Sequence, residues 1–198
     1  MKVNEKDNVG IVILAAGSSS RLGSPKQLLT YKDTTLLRHT IREAVAVNNA
    51  SVLVVTGANN ELIEKDILKA NVKASFNPDW ESGMASSIVC GLKKMIDVFP
   101  ETDACIFAVC DQPYITTSIF NELIKTYHQN AKGIIASSYE ATLGTPALFQ
   151  KKYFKELLEL TGREGAKKVI NRFLEDTIAV LFEKGSIDID TLEDYSQL

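Results

Sequence analysis

The chain has 198 residues, of which 45% are hydrophobic and 24% are charged, a composition typical of a folded globular protein. The formal net charge of -3 excludes a nucleic-acid-binding protein held by bulk positive charge, and no apolar run approaches the roughly 20 residues needed to cross a bilayer. The first residues, MKVNEKDN, lack the apolar core of a signal peptide. We therefore expect a cytoplasmic protein without nucleic-acid or membrane partners, and one domain over residues 1–198.

Cysteine and histidine give little support for a disulfide framework or a zinc site. The three cysteines form no C-x-x-C pair, and Cys105 and Cys110 lie in the apolar run ACIFAVC, where cysteine is usually a small buried residue. The two histidines, His39 and His128, lie in helix-like segments without metal-ligand spacing. We expect both histidines to be structural.

Strand-like and helix-like segments alternate along most of the chain. Short apolar runs predict strands at 10–17, 51–57, 72–76, 104–111, 133–140, 145–149, 177–183 and 187–190. Helical spacing of apolar residues predicts helices at 35–49, 59–70, 84–99, 116–130, 151–160 and 164–176. Such alternation is typical of βαβ units, so we predict one doubly wound α/β domain with a mostly parallel sheet.

In such sheets, ligands bind beyond the carboxyl ends of the strands, and the first candidate segment there is residues 14–29, LAAGSSSRLGSPKQLL. Gly17 allows close approach of the backbone to a ligand, while Arg21 and Lys26 supply cations suited to phosphate oxygens. The spacing is neither that of a Walker A loop nor G-x-G-x-x-G. The competing interpretation is a flexible surface loop with two solvated cations.

Carboxylates follow two other predicted strands. Asp111, in the segment CDQP, comes directly after a buried strand and would suit a Mg²⁺ that bridges phosphates, although it could equally cap the next helix. Asp188 and Asp190 alternate with isoleucine, which predicts that both lie on one face of a strand. They could complete the metal site, or they could form a solvated polar edge.

Hydroxyl groups mark a third segment, NPDWESGMASSIVCGL at 77–92. Ser86 and Ser87 follow Gly83 at the predicted start of a helix. Hydroxyls and free N–H groups at such a position can bind a base edge or a ribose. The alternative is that a serine serves only as the helix N-cap.

Together these segments resemble one family, the molybdenum-cofactor nucleotidyltransferases. Residues 14–29 are similar to its L-A-A-G-x-S-x-R-M-G-x-x-K signature, and NPDW, CDQP, G-x-PALF and a late D-I-D-T segment follow in the family's order. The resemblance spans Gly10 to about Asp194. It implies a Rossmann-like, three-layer α/β/α nucleotidyltransferase fold. It also implies an enzyme that transfers a nucleotidyl group from an NTP, with Mg²⁺, and releases pyrophosphate.

The resemblance also implies roles for individual residues. Arg21, Lys26 and Asp111 would be the catalytic residues, with Mg²⁺ held by Asp111 and Asp190 and with Asp188 in reserve. The resemblance places the nucleotide against Leu14, Ala15, Ala16, Gly17, Arg21, Lys26, Ser86 and Ser87. Guanylyl members carry L-A-G-G, so Ala16 resembles the branch that uses CTP and a molybdopterin-type acceptor, with a molybdenum hydroxylase as the recipient of the product.

Two other functions are compatible with these motifs. The same nucleotidyl chemistry could serve GTP or a sugar-phosphate acceptor, which an assay across acceptors would separate. Alternatively, the chain could be a noncatalytic accessory protein that binds the molybdenum cofactor. The presence of Arg21, Lys26 and Asp111 argues against that second function.

Overall fold

The computed structural model describes residues 8–20, 22–70 and 72–198, so Arg21 lies outside the described residues. The strands are β1 (Asn8–Ala15), β2 (Thr30–Tyr31), β3 (Thr34–Thr35), β4 (Ala50–Thr56), β5 (Lys73–Phe76), β6 (Thr102–Val109), β7 (Ile134–Tyr139), β8 (Thr142–Gln150) and β9 (Thr177–Leu181). The helices are α1 (Leu36–Val45), α2 (Asn60–Ile67), α3 (Met84–Val98), α4 (Thr117–Gln129), α5 (Phe154–Leu158), α6 (Lys167–Arg172) and α7 (Leu192–Ser196). No helix in these ranges is long and apolar enough to span a membrane.

The main sheet has seven strands in the order β5-β4-β1-β6-β8-β7-β9. Strand β8 is antiparallel to both of its neighbours, and the other pairs are parallel. The predicted α/β fold with a mostly parallel sheet is therefore confirmed. The one-domain organisation of residues 1–198 remains a prediction.

Helices cover both faces of this sheet, and the sequence of β1 reflects it. Ile11 and Ile13 pack into one core with residues of α1 and α4, whereas Val12 and Leu14 pack into a second core with residues of α3 and α5. Since both faces are buried, the strand is a continuous apolar run rather than an alternating one. This arrangement places the carboxyl ends of the adjacent strands β1 and β6 side by side at one edge.

Close packing on the second core determines how near helix α3 lies to the sheet. A Cβ atom at Gly91 would lie 2.6 Å from Cγ1 of Val12 and 2.7 Å from Cγ2 of Val55, so only glycine allows the helix this approach to the sheet. The first residue of α3, Met84, and the preceding Gly83 then lie beside the ends of β1 and β6. Glycine at residue 91 thus helps to position the start of α3 near the predicted ligand edge.

Several predicted boundaries are wrong. The first strand spans Asn8–Ala15 rather than 10–17. The helices predicted at 151–160 and 164–176 are shorter, and become α5 and α6 with 3-10 turns beside them. The hairpin of β2 and β3 is not among the predicted elements. Residues 187–190, predicted as a strand, belong to no strand and have irregular structure. The alternating sequence pattern nevertheless corresponds to alternating burial, because Ile187 is exposed and Ile189 is fully buried.

A small apolar cluster outside the main cores holds this C-terminal segment. Ile189 packs with Tyr31 and Leu36, and its backbone N–H donates to the carbonyl of Asp111 at 3.0 Å. Farther on, Thr191 and Asp194 form a reciprocal capping box at the start of α7. The chain after β9 is thereby docked against Asp111, two residues beyond the end of β6.

We expect Ile189→Ala to lower the free energy of unfolding by about 2–4 kcal/mol, because a fully buried side chain would be truncated. Urea unfolding measures this loss. Ile187→Ala is the matched control in the same segment: it truncates an exposed isoleucine and should change stability by no more than about 0.5 kcal/mol. Equal losses in the two variants would contradict the docking described for residues 187–190.

Candidate active site

An open pocket of about 320 Å³ lies at the carboxyl ends of β1 and β6. Its wall is formed by the loop after β1, by residues 80–87 and by the end of β6 with the two residues that follow it. Its lining includes, among others, Leu14, Ala15, Ala16, Gly17, Lys26, Ser87 and Asp111. The structure thus brings together most of the residues that the sequence predicted for nucleotide binding and catalysis, although no contact with a nucleotide tests their roles.

Lys26 lies at the centre of the charged groups. Its ammonium nitrogen is 2.5 Å from Oδ2 of Asp111 and 3.0 Å from Oδ1 of Asp190, and its side chain is largely buried. Burial alone would lower the pKa of Lys26, but the two carboxylates outweigh it and raise the pKa above its ordinary value. Lys26 therefore remains a cation at neutral pH.

A third carboxyl group, that of Asp188, lies near the same charges. Asp188 keeps an exposed surface, but desolvation of its carboxyl group and the negative charge of Asp111 raise its pKa to about 7. Oδ1 of Asp111 is buried and has no hydrogen-bond partner among the described residues. A buried carboxylate oxygen without a donor is costly, and a bound cation is one way to satisfy it.

These carboxylates fit a hard divalent cation that is shared with a ligand. No group of three or more His, Cys, Asp or Glu residues in the described ranges is close enough to hold a metal ion by itself. Mg²⁺ in phosphate-transfer sites characteristically uses one or two carboxylates and completes its shell with water and substrate phosphates. Asp111 and Asp190 could supply that protein share.

Gln27, which the sequence analysis missed, shapes the loop after β1. It is 1% exposed, and its Nε2 donates to the carbonyls of Ala15 and Gly17 at 3.0 and 2.8 Å. Its Oε1 accepts from the hydroxyl of Ser19, and the same hydroxyl oxygen accepts the N–H of Lys26. The loop and the cation are therefore held in one hydrogen-bonded unit.

The two serines of α3 have different surroundings. The amide of Asn77 donates to Oγ of Ser86 at 2.8 Å and to Oγ of Ser87 at 3.1 Å. Ser86 also donates to the carbonyls of Gly83 and of Asp79 in the preceding loop, and it does not line the pocket. Ser87 does line it, so of the two predicted hydroxyls only Ser87 faces the ligand space. Neither serine is the N-cap of α3, which is Gly83.

Other polar residues contribute no nucleophile to the site. Burial raises the pKa of the Cys110 thiol to about 12, so this pocket-lining cysteine is neutral at physiological pH. His39 is buried beside the carbonyl of Ile115, and none of the described pocket-lining residues is a histidine. The arrangement can position phosphates and metal ions, whereas neither Cys110 nor His39 is an activated nucleophile for covalent catalysis.

The raised pKa of Asp188 predicts a pH dependence of folding in the presence of a chelator. The folded protein holds the Asp188 proton more tightly than the unfolded chain does, so this contribution to stability is complete below about pH 4 and is lost as pH rises through about 7. We expect the free energy of unfolding of Asp188→Asn, measured with urea, to equal that of the native protein near pH 4. It should exceed the native value increasingly towards pH 8. Glu183→Gln, an exposed change of equal charge, is the control, and a pH-independent gain for Asp188→Asn would contradict the prediction.

The chain is similar to known proteins over almost its whole length. Residues 11–177 match the model of the MobA-like NTP transferase domain. Over 94% of the chain and 93% of the relative, the protein is 26% identical to the molybdenum cofactor cytidylyltransferase of Escherichia coli strain K12. It is also 27% identical to the nicotine blue oxidoreductase of Paenarthrobacter nicotinovorans, over 94% of each chain.

A solved structure extends the comparison to the fold. The manganese complex of Rv0371C from Mycobacterium tuberculosis H37Rv superposes with a TM-score of 0.80, at 25% identity, over 96% of this chain and 97% of that one. The family match covers most of the residues between the start of β1 and the start of β9, including the pocket. The chain therefore belongs to the MobA-like NTP transferase family and is a nucleotidyltransferase, as its sequence signature predicted.

Proposed function

We propose that this protein transfers CMP from CTP to a molybdopterin-type acceptor and releases pyrophosphate. The observation that carries the proposal is the partly buried contact of Lys26 with Asp111 and Asp190 beside the pocket. One cation and a pair of carboxylates at the same edge are what a nucleoside triphosphate and its divalent metal need. The relative from Escherichia coli, a molybdenum cofactor cytidylyltransferase by name, supports the choice of nucleotide and acceptor.

Phosphoryl-type transfer depends mainly on positioning and on neutralising charge. In the proposed reaction, the terminal phosphate oxygen of the acceptor attacks the α-phosphorus of CTP, and pyrophosphate leaves in line. Lys26 would bind the β- and γ-phosphates and stabilise the negative charge that develops on the leaving pyrophosphate. Arg21 lies outside the described residues, and the same role is proposed for it from the sequence alone.

Asp111 and Asp190 would hold Mg²⁺, which supplies charge neutralisation for the phosphates when it is bound. The unsatisfied Oδ1 of Asp111 supports this assignment, and so does the manganese complex of the solved relative. Lys26 contacts both carboxylates, so it would remain next to the phosphates that share the metal. Asp188 is kept as the reserve second ligand, since desolvation and the charge of Asp111 raise its pKa and favour its neutral form.

The cytidine would lie against the loop after β1. Leu14, Ala15, Ala16 and Gly17 line the pocket with backbone and small side chains, which leaves room for a flat base. Ser87 would bind the nucleoside through its hydroxyl, while Ser86 would act indirectly through the Asn77 amide that both serines share. The proposed product, a cytidylylated pterin cofactor, would pass to a molybdenum hydroxylase.

Pyrophosphate release with CTP and with GTP, each with and without the molybdopterin-type acceptor, tests this function. We expect acceptor-dependent release with a kcat/KM for CTP at least about tenfold above that for GTP, because Ala16 places a methyl group where guanylyl members have glycine. A preference for GTP would refute the cytidylyl assignment. Pyrophosphate release with a sugar phosphate instead would show that the enzyme uses another acceptor. If no tested substrate gave pyrophosphate, a noncatalytic accessory protein would be favoured.

We expect Asp111→Asn to lower turnover at least about a hundredfold, since asparagine keeps the size of aspartate but removes the charge that holds a hard cation. Manganese binding, followed by electron paramagnetic resonance, should weaken in the same variant while thermal unfolding stays cooperative. Asp97→Asn is the control, because Asp97 forms only an exposed surface pair with Lys94. Near-native turnover and manganese affinity in Asp111→Asn would refute the metal assignment.

A further inference from the structure

The loop after β1 has its carbonyl groups engaged inside the protein. Gln27 Nε2 donates to the carbonyls of Ala15 and Gly17. The intervening carbonyl, that of Ala16, accepts the N–H of Ala58 at 3.0 Å. Three successive carbonyl groups of the pocket wall therefore each accept a hydrogen bond from the protein itself.

The N–H groups of the same loop have a different status. Within the described residues, no hydrogen bond is found from the N–H of Gly17 or from that of Ser18. Both residues line the pocket. The backbone that the loop offers to a ligand is therefore rich in donors and poor in acceptors.

We propose that Gln27 is a positioning residue that keeps this loop a donor surface and thereby determines which base is bound. The inference rests on the proposed function, since it requires a nucleotide in this pocket. Gln27 is suited to the role because it is almost fully buried and its single NH₂ group bridges two carbonyls of the loop. No other side chain in the described ranges donates to those two carbonyls.

The chemistry of the bases gives this surface a preference. The pairing edge of cytosine presents two acceptors, O2 and N3, which backbone N–H groups can satisfy, and one donor, its exocyclic NH₂. The corresponding edge of guanine presents one acceptor, O6, and two donors, N1–H and an exocyclic NH₂, which need carbonyl groups. The carbonyls of residues 15–17 already accept hydrogen bonds from Gln27 and Ala58. A guanine edge would therefore leave more donors unpaired in the loop than a cytosine edge would. Unpaired polar groups in a binding site strongly disfavour binding of the base that carries them.

Gln27→Met tests the proposal, since methionine has a similar length and no hydrogen-bond donor. The dissociation constants of CTP and GTP are measured by isothermal titration calorimetry in the presence of Mg²⁺ and without an acceptor, for the native protein and the variant. We expect the native preference for CTP to fall by about tenfold in Gln27→Met, because the carbonyls of Ala15 and Gly17 become available to guanine donors. A loop that merely loses order would weaken both nucleotides alike, so an unchanged ratio of the two constants would overturn the proposal.

Gln112→Met is a matched control. Gln112 is also 1% exposed, and its Nε2 also bridges two backbone carbonyls, those of Thr145 and Gly185 at 3.2 and 2.7 Å, but it does not line the pocket. Its substitution removes the same type of buried bridge and should leave the ratio unchanged. An equal shift of the ratio in both variants would overturn the proposal.

A second variant covers the case in which Gln27→Met does not fold. Gln27→Asn keeps the amide but shortens its reach by one methylene group, so it should shift the ratio in the same direction by a smaller factor. An unshifted ratio in a folded Gln27→Asn would overturn the inference. A native protein that binds neither nucleotide would instead refute the proposed function, which separates the two failures.

Discussion

The contact of the Lys26 ammonium with the carboxylates of Asp111 and Asp190 is the interaction on which the site depends. It joins groups that are 85 and 164 residues apart in the chain. Removing a carboxylate and an ammonium group from water is unfavourable for each alone, and their mutual attraction offsets part of that cost. The nearby Asp188 is desolvated and close to the charge of Asp111, so its pKa rises to about 7.

The fold explains how three distant segments reach this point. Strands β1 and β6 are parallel neighbours, so their carboxyl ends lie together and deliver the nucleotide loop and Asp111 to the same edge. The third segment arrives by a different route. The N–H of Ile189 binds the carbonyl of Asp111, and the Ile189 side chain packs against Tyr31 and Leu36, which places Asp190 next to Lys26. The position of Asp190 is therefore secured by apolar packing outside the main cores.

Local sequence patterns predicted the buried strands and the segments at their carboxyl ends. The apolar runs of β1 and β6 are long enough to identify as buried strands, and the rule that ligands bind at strand ends then pointed to residues 14–29 and to Asp111. The boundaries shifted by about two residues because hydrophobic runs do not mark where strand pairing stops. The resemblance to the family supplied the roles of Lys26 and Asp190, which spacing alone left open.

The parts that sequence missed depend on contacts between distant residues. A glutamine next to a cationic loop residue gives no signal that it will be 1% exposed and bridge two carbonyls. Likewise, the alternation of Ile187 and Ile189 predicted a strand, whereas the buried face packs against a small side cluster and pairs with no strand. The different surroundings of Ser86 and Ser87 follow from the position of Asn77, which comes from the preceding loop.

A crystal structure with a nonhydrolysable CTP analogue and Mn²⁺ tests the central claim most directly. The account predicts an anomalous manganese peak at the carboxylates of Asp111 and Asp190, the triphosphate against Lys26, and the base against Ala15, Ala16 and Gly17. A triphosphate bound elsewhere would contradict it, for example in the groove beside α1 and α2 that Arg38, Lys65 and Lys69 line. A nucleotide in the pocket with the metal remote from Asp111 would contradict the account as well.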